Sequence, residues 1–194
     1  SSAQGWAFQS NNTTDAGVVV NDGLINVSAS TAFEALFSQG SGGTLNVANT
    51  KTLNLQNAAT VSGTVNLNAT GALNINEKHG GLAATLSNVT FAGTGGALGI
   101  GGSMAFPGKV VNLTNVSAPN VAVTVGVGGV YPGYINLVNG NAVFKSLVFN
   151  SGSLGTMSNG ILGITGGGFA IPTGVTYTGN VGYLANGTLS LLAG

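Results

Sequence analysis

The chain has no cysteine and no arginine, and its charged side chains amount to four lysines and four carboxylates in 194 residues. Charged residues make up 4% of it, against roughly a quarter in soluble domains. Each shortage excludes something. Without cysteine there is no disulfide staple and no thiolate metal site. A formal net charge of zero leaves no basic footprint for nucleic acid or an anionic membrane surface. With 43% hydrophobic residues the chain lacks the low hydrophobicity and high charge of disordered segments. Its four prolines, and glycines without a period of three, exclude collagen.

Catalytic groups are scarce as well. The carboxylates are Asp15, Asp22, Glu34 and Glu77, and the one histidine is His79. A histidine triad, a zinc site and a calcium cage each need more ligands than this. No Gly-x-Ser-x-Gly occurs. Phe106-Pro107-Gly108-Lys109 ends like a phosphate loop, but Ser103 and Val110 stand where its Gly and its Ser/Thr belong. Asp22 reads as a turn residue before Gly23, and Glu77-Lys78-His79-Gly80 as a solvated turn. The expectation is a chain that is not an enzyme, with no catalytic residues, no metal and no cofactor.

What is abundant is glycine (34 residues), asparagine (23), threonine (20) and serine (16). These punctuate short apolar runs, the pattern of many strands and turns. Gly23-Leu24-Ile25-Asn26-Val27, Gly43-Thr44-Leu45-Asn46-Val47 and Gly63-Thr64-Val65-Asn66-Leu67 repeat at a step of 20. Leu53-Asn54-Leu55 and Leu73-Asn74-Ile75 keep the same step. Alternation places Leu45, Val47, Val65 and Leu67 on a buried face and the threonines and asparagines on the other. A repeat of that length suits a parallel β-solenoid, in which each coil stacks on the last and recurring asparagines form amide ladders.

The second half loses the step. Asn139-Gly140, Asn159-Gly160 and Asn186-Gly187 sit between apolar runs and signal hairpins. The fold class is therefore all-β, a β-solenoid with coils of about 20 residues in the first half, or alternatively a β-sandwich or jelly roll. One helix is expected, at Thr31-Ala32-Phe33-Glu34, a capping box that would run through Leu36 and Phe37 to Gly40. Residues 1–194 form one domain, with a soft division near Gly93–Gly102, where six glycines in ten residues suit tight packing or a corner better than a linker.

No basic segment followed by an apolar one opens the sequence, as expected of a chain whose signal peptide has been removed. No stretch reads as a spanning helix, so no membrane insertion is expected. Asn-x-Ser/Thr occurs at Asn11, Asn12, Asn26, Asn68, Asn88, Asn112, Asn115 and Asn186. These are candidate N-glycosylation sites, a glycan coat for a surface without charge; the bland alternative is chance in an Asn/Thr-rich β-protein.

Residues 43–76, with their Gly-Thr-Leu-Asn-Val and Gly-Thr-Val-Asn-Leu rungs, resemble passenger segments of bacterial autotransporters and related β-helix adhesins. Ser146-Leu147-Val148-Phe149-Asn150 and Gly160-Ile161-Leu162-Gly163-Ile164 are similar in style. The uncharged, sequon-bearing composition also resembles subunits of extracellular pili and threads, typically β-sandwiches completed by a neighbour's strand. Either resemblance implies a secreted, cell-surface, adhesive or filament-forming protein without catalysis.

The expected function is thus that of a non-enzymatic extracellular structural protein, a self-assembling filament subunit or adhesin. Its partner would be itself, and glycans are a second candidate. Sheet edges are normally guarded by lysine, proline and inward charge, all scarce here. Val18-Val19-Val20 and Leu189, Leu191 and Leu192 supply apolar terminal strands suited to strand addition. The rival is a carbohydrate- or ice-binding module using outward Thr/Asn ladders. With so few titrating groups, stability should be nearly flat from about pH 2 to pH 9.

Overall fold

Apolar side chains alternate with polar ones along short runs throughout the chain, and the runs fold as a parallel β-solenoid with coils of about 24 residues. The structure is a computed structural model that describes residues 17–78, 83–102, 108–126, 132–158, 162–166, 168–171 and 188–191. The first two coils comprise β1 (Val18–Asn21), β2 (Leu24–Val27), β3 (Thr31–Phe33), β4 (Leu36–Gln39), β5 (Thr44–Val47) and β6 (Thr52–Leu55). β7 (Ala59–Leu67), β8 (Ala72–Ile75), β9 (Ala84–Phe91), β10 (Ala97–Ile100) and β11 (Lys109–Val125) make the next three. β12 (Gly133–Val138), β13 (Ala142–Phe149), β14 (Gly152–Ser158), β15 (Leu162–Ile164), β16 (Gly168–Ile171) and β17 (Thr188–Leu191) follow.

All described strand pairs are parallel, and they stack into three faces. Face A carries β1, β4, the start of β7, the start of β9, the start of β11, β12 and β14. Face B carries β2, β5, the end of β7, the end of β9, the middle of β11, the start of β13 and β15. Face C carries β3, β6, β8, β10, the end of β11, the end of β13, β16 and β17. The sandwich alternative is not the fold.

Inward side chains form columns. Leu53, Leu73, Leu98, Val123 and Leu147 stack in register on face C, beside Phe33, Leu55, Ile75, Ile100, Val125 and Phe149. Leu45, Val47, Val65 and Leu67, expected to be buried, are fully so. Each such side chain contributes about 1.5–3 kcal/mol of hydrophobic free energy. These columns are the core, and they run its length.

The 20-residue step holds where expected, Leu24 pairing with Thr44 and Thr44 with Thr64. It then widens: Ala72 pairs with Ala97 and Ala97 with Ala122, 25 apart, and Ala84 with Val111, 27 apart. Residues are added at the corners while the strands stay stacked, so the repeat fades from the sequence but not from the fold. Across Gly93–Gly102 the ladder continues, since β10 pairs with β8 below and β11 above.

Two local expectations are corrected. The helix at Thr31–Gly40 does not form; β3 and β4 occupy that segment. A two-turn helix is marginal alone. Here Thr31 pairs with Leu53 and Phe37 with Ala59, while the Phe33 and Phe37 rings stack at 5.7 Å across the corner. The Asn139-Gly140 hairpin is also absent. Asn139 has φ 49° and turns the chain from β12 into β13, which pair with other coils and not with each other. It continues a corner already made by Gly63, Asn88 and Asn115 (φ 75°, 55° and 53°). A single left-handed residue bends a continuous strand from face A to face B, and only Gly and Asn adopt that conformation readily. Asn159-Gly160 and Asn186-Gly187 contain residues outside the described ones.

Candidate functional site

Three features of this prism bear on function: the outward polar columns, the edge of the first coil, and one corner that gathers charge.

Outward positions on face B read Leu24-Asn26, Thr44-Asn46 and Thr64-Asn66 up the stack. The carboxamides bond to one another: Asn46 Nδ2 donates to Asn26 Oδ1 at 2.8 Å, and Asn66 Nδ2 to Asn46 Oδ1 at 2.6 Å. Asn74 donates to Asn54 at 3.0 Å, Asn115 to Asn88 at 3.1 Å and Asn136 to Asn112 at 3.0 Å. The Asn ladders expected from the repeat are therefore present. Each bond spans two coils and stabilises the stack by about 1 kcal/mol.

The candidate glycosylation residues separate on this geometry. Asn26, Asn112, Asn88 and Asn115 sit in ladders, whereas Asn68 is exposed on the turn Asn68–Gly71, closed by a Gly71 N–H donated to the Asn68 carbonyl. Asn11, Asn12 and Asn186 lie outside the described residues. Asn26, Asn46 and Asn68 also flank a shallow groove of about 170 Å³. A second groove, about 330 Å³, crosses the B–C corner between Thr94, Asn120, Lys145 and Thr165.

At the first coil, β1 and β2 each pair with one strand only, β4 and β5 respectively, among the described residues, and β3 pairs with β6. Val18, Val20 and Leu24 are 55%, 62% and 60% exposed, while Val19 packs against the core. At the other end β17 pairs with β16, so Leu189 and Leu191 lie in a strand of the stack. Leu192 lies outside the described residues.

The charged corner joins face C to face A. Glu77 was expected in a solvated turn; it is buried, 1% exposed, and its Oε2 accepts from Lys109 Nζ at 2.9 Å. Lys109, fully buried, also donates to the Asn57 main-chain carbonyl at 3.1 Å. Asn57, itself buried, donates from Nδ2 to the Glu34 carbonyl at 2.9 Å and accepts the Ala58 N–H on Oδ1 at 2.8 Å. Glu34 does not cap a helix. Its carboxylate pairs with Lys78, whose side chain is half exposed. Burial pushes the Lys109 amine below its ordinary value of 10.5, and the hydrogen bond and charge of Glu77 offset part of that shift.

Four charged residues, far apart in sequence except for Glu77 and Lys78, meet here. Period-2 alternation carried past β8 would have revealed the inward one: Ile75 points in, Asn76 out and Glu77 in. Lys109 was visible only as the end of a false phosphate loop. Asp15 and His79 lie outside the described residues, and Asp22 is exposed. Among the described residues no three histidine or carboxylate side chains converge on a metal position, and no helix is long and apolar enough to cross a membrane. No protein-family model, no curated protein and no solved structure matches the chain.

Proposed function

We propose that this chain is a non-enzymatic structural protein of an extracellular surface, a solenoid rod that assembles end to end and serves as a filament element or adhesin. The observation that supports it is the first coil's edge. β1 and β2 present strand edges without a described partner, and Asp22 is the only charged residue between residues 17 and 33. In a parallel solenoid the strands of every coil run in the same direction, so each end of the stack offers edges for parallel pairing. A second copy therefore continues the stack by forming one more set of parallel ladders, and a head-to-tail contact of that kind propagates without closing. Outward faces of threonine and asparagine hydrate the rod without charge. Glycan or ice binding by the Asn ladders has less support, because their carboxamides already bond to one another along the stack.

The test replaces Val18 and Val20, both exposed, with lysine, which leaves the inward columns intact. Sedimentation and negative-stain microscopy should show extended particles for the parent chain and monomers for the double variant, with matching far-UV circular dichroism. A parent chain that stays monomeric at high concentration, or a variant that assembles as well as the parent, overturns the reading.

A further inference from the structure

The buried corner brings together an amine, a carboxamide and a carboxylate. Lys109 Nζ lies 2.9 Å from Glu77 Oε2 and 3.1 Å from the main-chain oxygen of Asn57. All three residues are shielded from water, at 0%, 1% and 1% exposure. The Asn57 carboxamide is oriented at both ends, its oxygen accepting the Ala58 N–H and its nitrogen donating to the Glu34 carbonyl. We propose that Lys109 and Asn57 form an intramolecular amide cross-link, with Glu77 as the proton carrier.

In this step the neutral Lys109 amine adds to Asn57 Cγ. Glu77 takes a proton from the amine nitrogen and returns it to the departing nitrogen. The C–Nδ2 bond breaks, ammonia leaves, and a C–Nζ amide remains; one amide replaces another, and no oxidant or cofactor takes part. With the Asn57 carboxamide held by these bonds, rotation of the Lys109 side chain brings the amine from the Asn57 main-chain oxygen to its side-chain carbon. The Ala58 N–H already placed on Oδ1 stabilises the negative charge that develops there. Burial favours the uncharged nucleophile, and confinement in a packed core substitutes for a bimolecular encounter. The bond would tie the corner after β6 to the start of β11, locking the coils between them against unwinding. It does not depend on the assembly proposed above.

Intact-mass measurement of the purified full chain tests this directly. The expected result is a mass about 17 Da below that of the sequence, the loss of one ammonia. Trypsin should then fail to cut after Lys109, giving a branched species in which residues 52–78 are joined to residues 79–145. Glu77→Gln and Asn57→Ala should each restore the full sequence mass (adjusted for the substitution) and cleavage after Lys109. A parent chain at full mass, with residues 79–109 and 110–145 recovered as separate peptides, overturns the proposal. So does a loss of about 18 Da mapped to Lys109 and Glu77, which would mean direct condensation of the ion pair.

Discussion

Gly93→Ala is the sharpest test of how closely these coils are packed. A Cβ on Gly93 would lie 2.0 Å from the Leu67 carbonyl oxygen, 2.7 Å from its carbon and 2.8 Å from the Leu67 nitrogen. All three atoms are backbone, so no side chain can rotate away. Restoring ordinary contact requires the coils to separate by about 1.4 Å out of a spacing of about 4.8 Å. The adjacent Ala92 N–H bond to the Val65 carbonyl, 2.9 Å long, would then stretch beyond hydrogen-bonding range. Overpacking costs about 1–3 kcal/mol, and a weakened buried backbone bond about 1 kcal/mol more, so a loss of about 3 kcal/mol is expected. Gly23 is the control: its Cβ would meet nothing within 4 Å, and Ala there should be neutral or stabilise by a few tenths of a kcal/mol through the unfolded chain. Urea denaturation followed by circular dichroism reads both from the midpoint at constant slope. Gly93→Ala within about 0.5 kcal/mol of the parent, or equal losses at the two sites, refutes the reasoning.

Val65→Asp places an unpaired carboxylate at a fully buried position and should cost about 4 kcal/mol or more. Asn66→Ser removes one ladder bond and should cost about 1 kcal/mol; chemical denaturation separates the two, and equal damage contradicts the inward–outward assignment. In the Asn57→Ala background, where the amine stays free, Glu77→Ala strands Lys109 in the core and should cost about 3–5 kcal/mol more, whereas Glu77→Leu with Lys109→Met in that background should recover most of that loss; a Leu/Met exchange as unstable as Glu77→Ala argues against a buried pair. For the pH dependence, the folded chain holds the Lys109 proton less tightly than the unfolded chain. Stability should therefore rise with pH between the lowered value and 10.5 and gain nothing from this group below that window. Melting temperatures of Asn57→Ala, whose amine stays free, should show that rise, and adding Lys109→Met should remove it.

The solenoid was legible where each coil spends the fewest residues on corners. Leu24, Thr44 and Thr64 differ by 20 in sequence and are register partners in space. Period-2 alternation then fixed which side chains face in. In the second half the corners lengthen independently, so Ala84 and Val111 stack although no sequence step announces it. The Asn-Gly hairpin signal misled because hairpins and solenoid corners need the same left-handed backbone, and Asn139 supplies it for either. The capping box at Thr31 misled because a local signal worth about 1 kcal/mol competes with whole ladders. Alternation also accounts for several sequons. A polar residue outward or at a corner, an apolar residue inward and a hydroxyl outward writes Asn-Val-Ser at Asn26, Asn-Leu-Thr at Asn112 and Asn-Val-Thr at Asn88.

The charged corner was illegible for a different reason. Glu77 and Lys78 are adjacent in sequence and of opposite sign, which invites pairing them with each other in a solvated turn. Alternation sends them opposite ways, so each takes a partner from another coil: Glu77 from Lys109 and Lys78 from Glu34. Those partners stand 32 and 44 residues away, a separation that only stacking removes. The consequence reaches the outer surface. With Glu77 and Lys109 enclosed and Glu34 mostly so, the outward columns of faces B and C through the first coils are threonine, asparagine and alanine above Leu24. Contacts made there with another copy or with a sugar need not strip water from ions, which removes the largest desolvation cost that an ordinary charged surface imposes on association. The same economy leaves charge repulsion with almost no part in keeping copies apart, so in the assembly proposed above partner choice would fall to the shape and register of the coil edge.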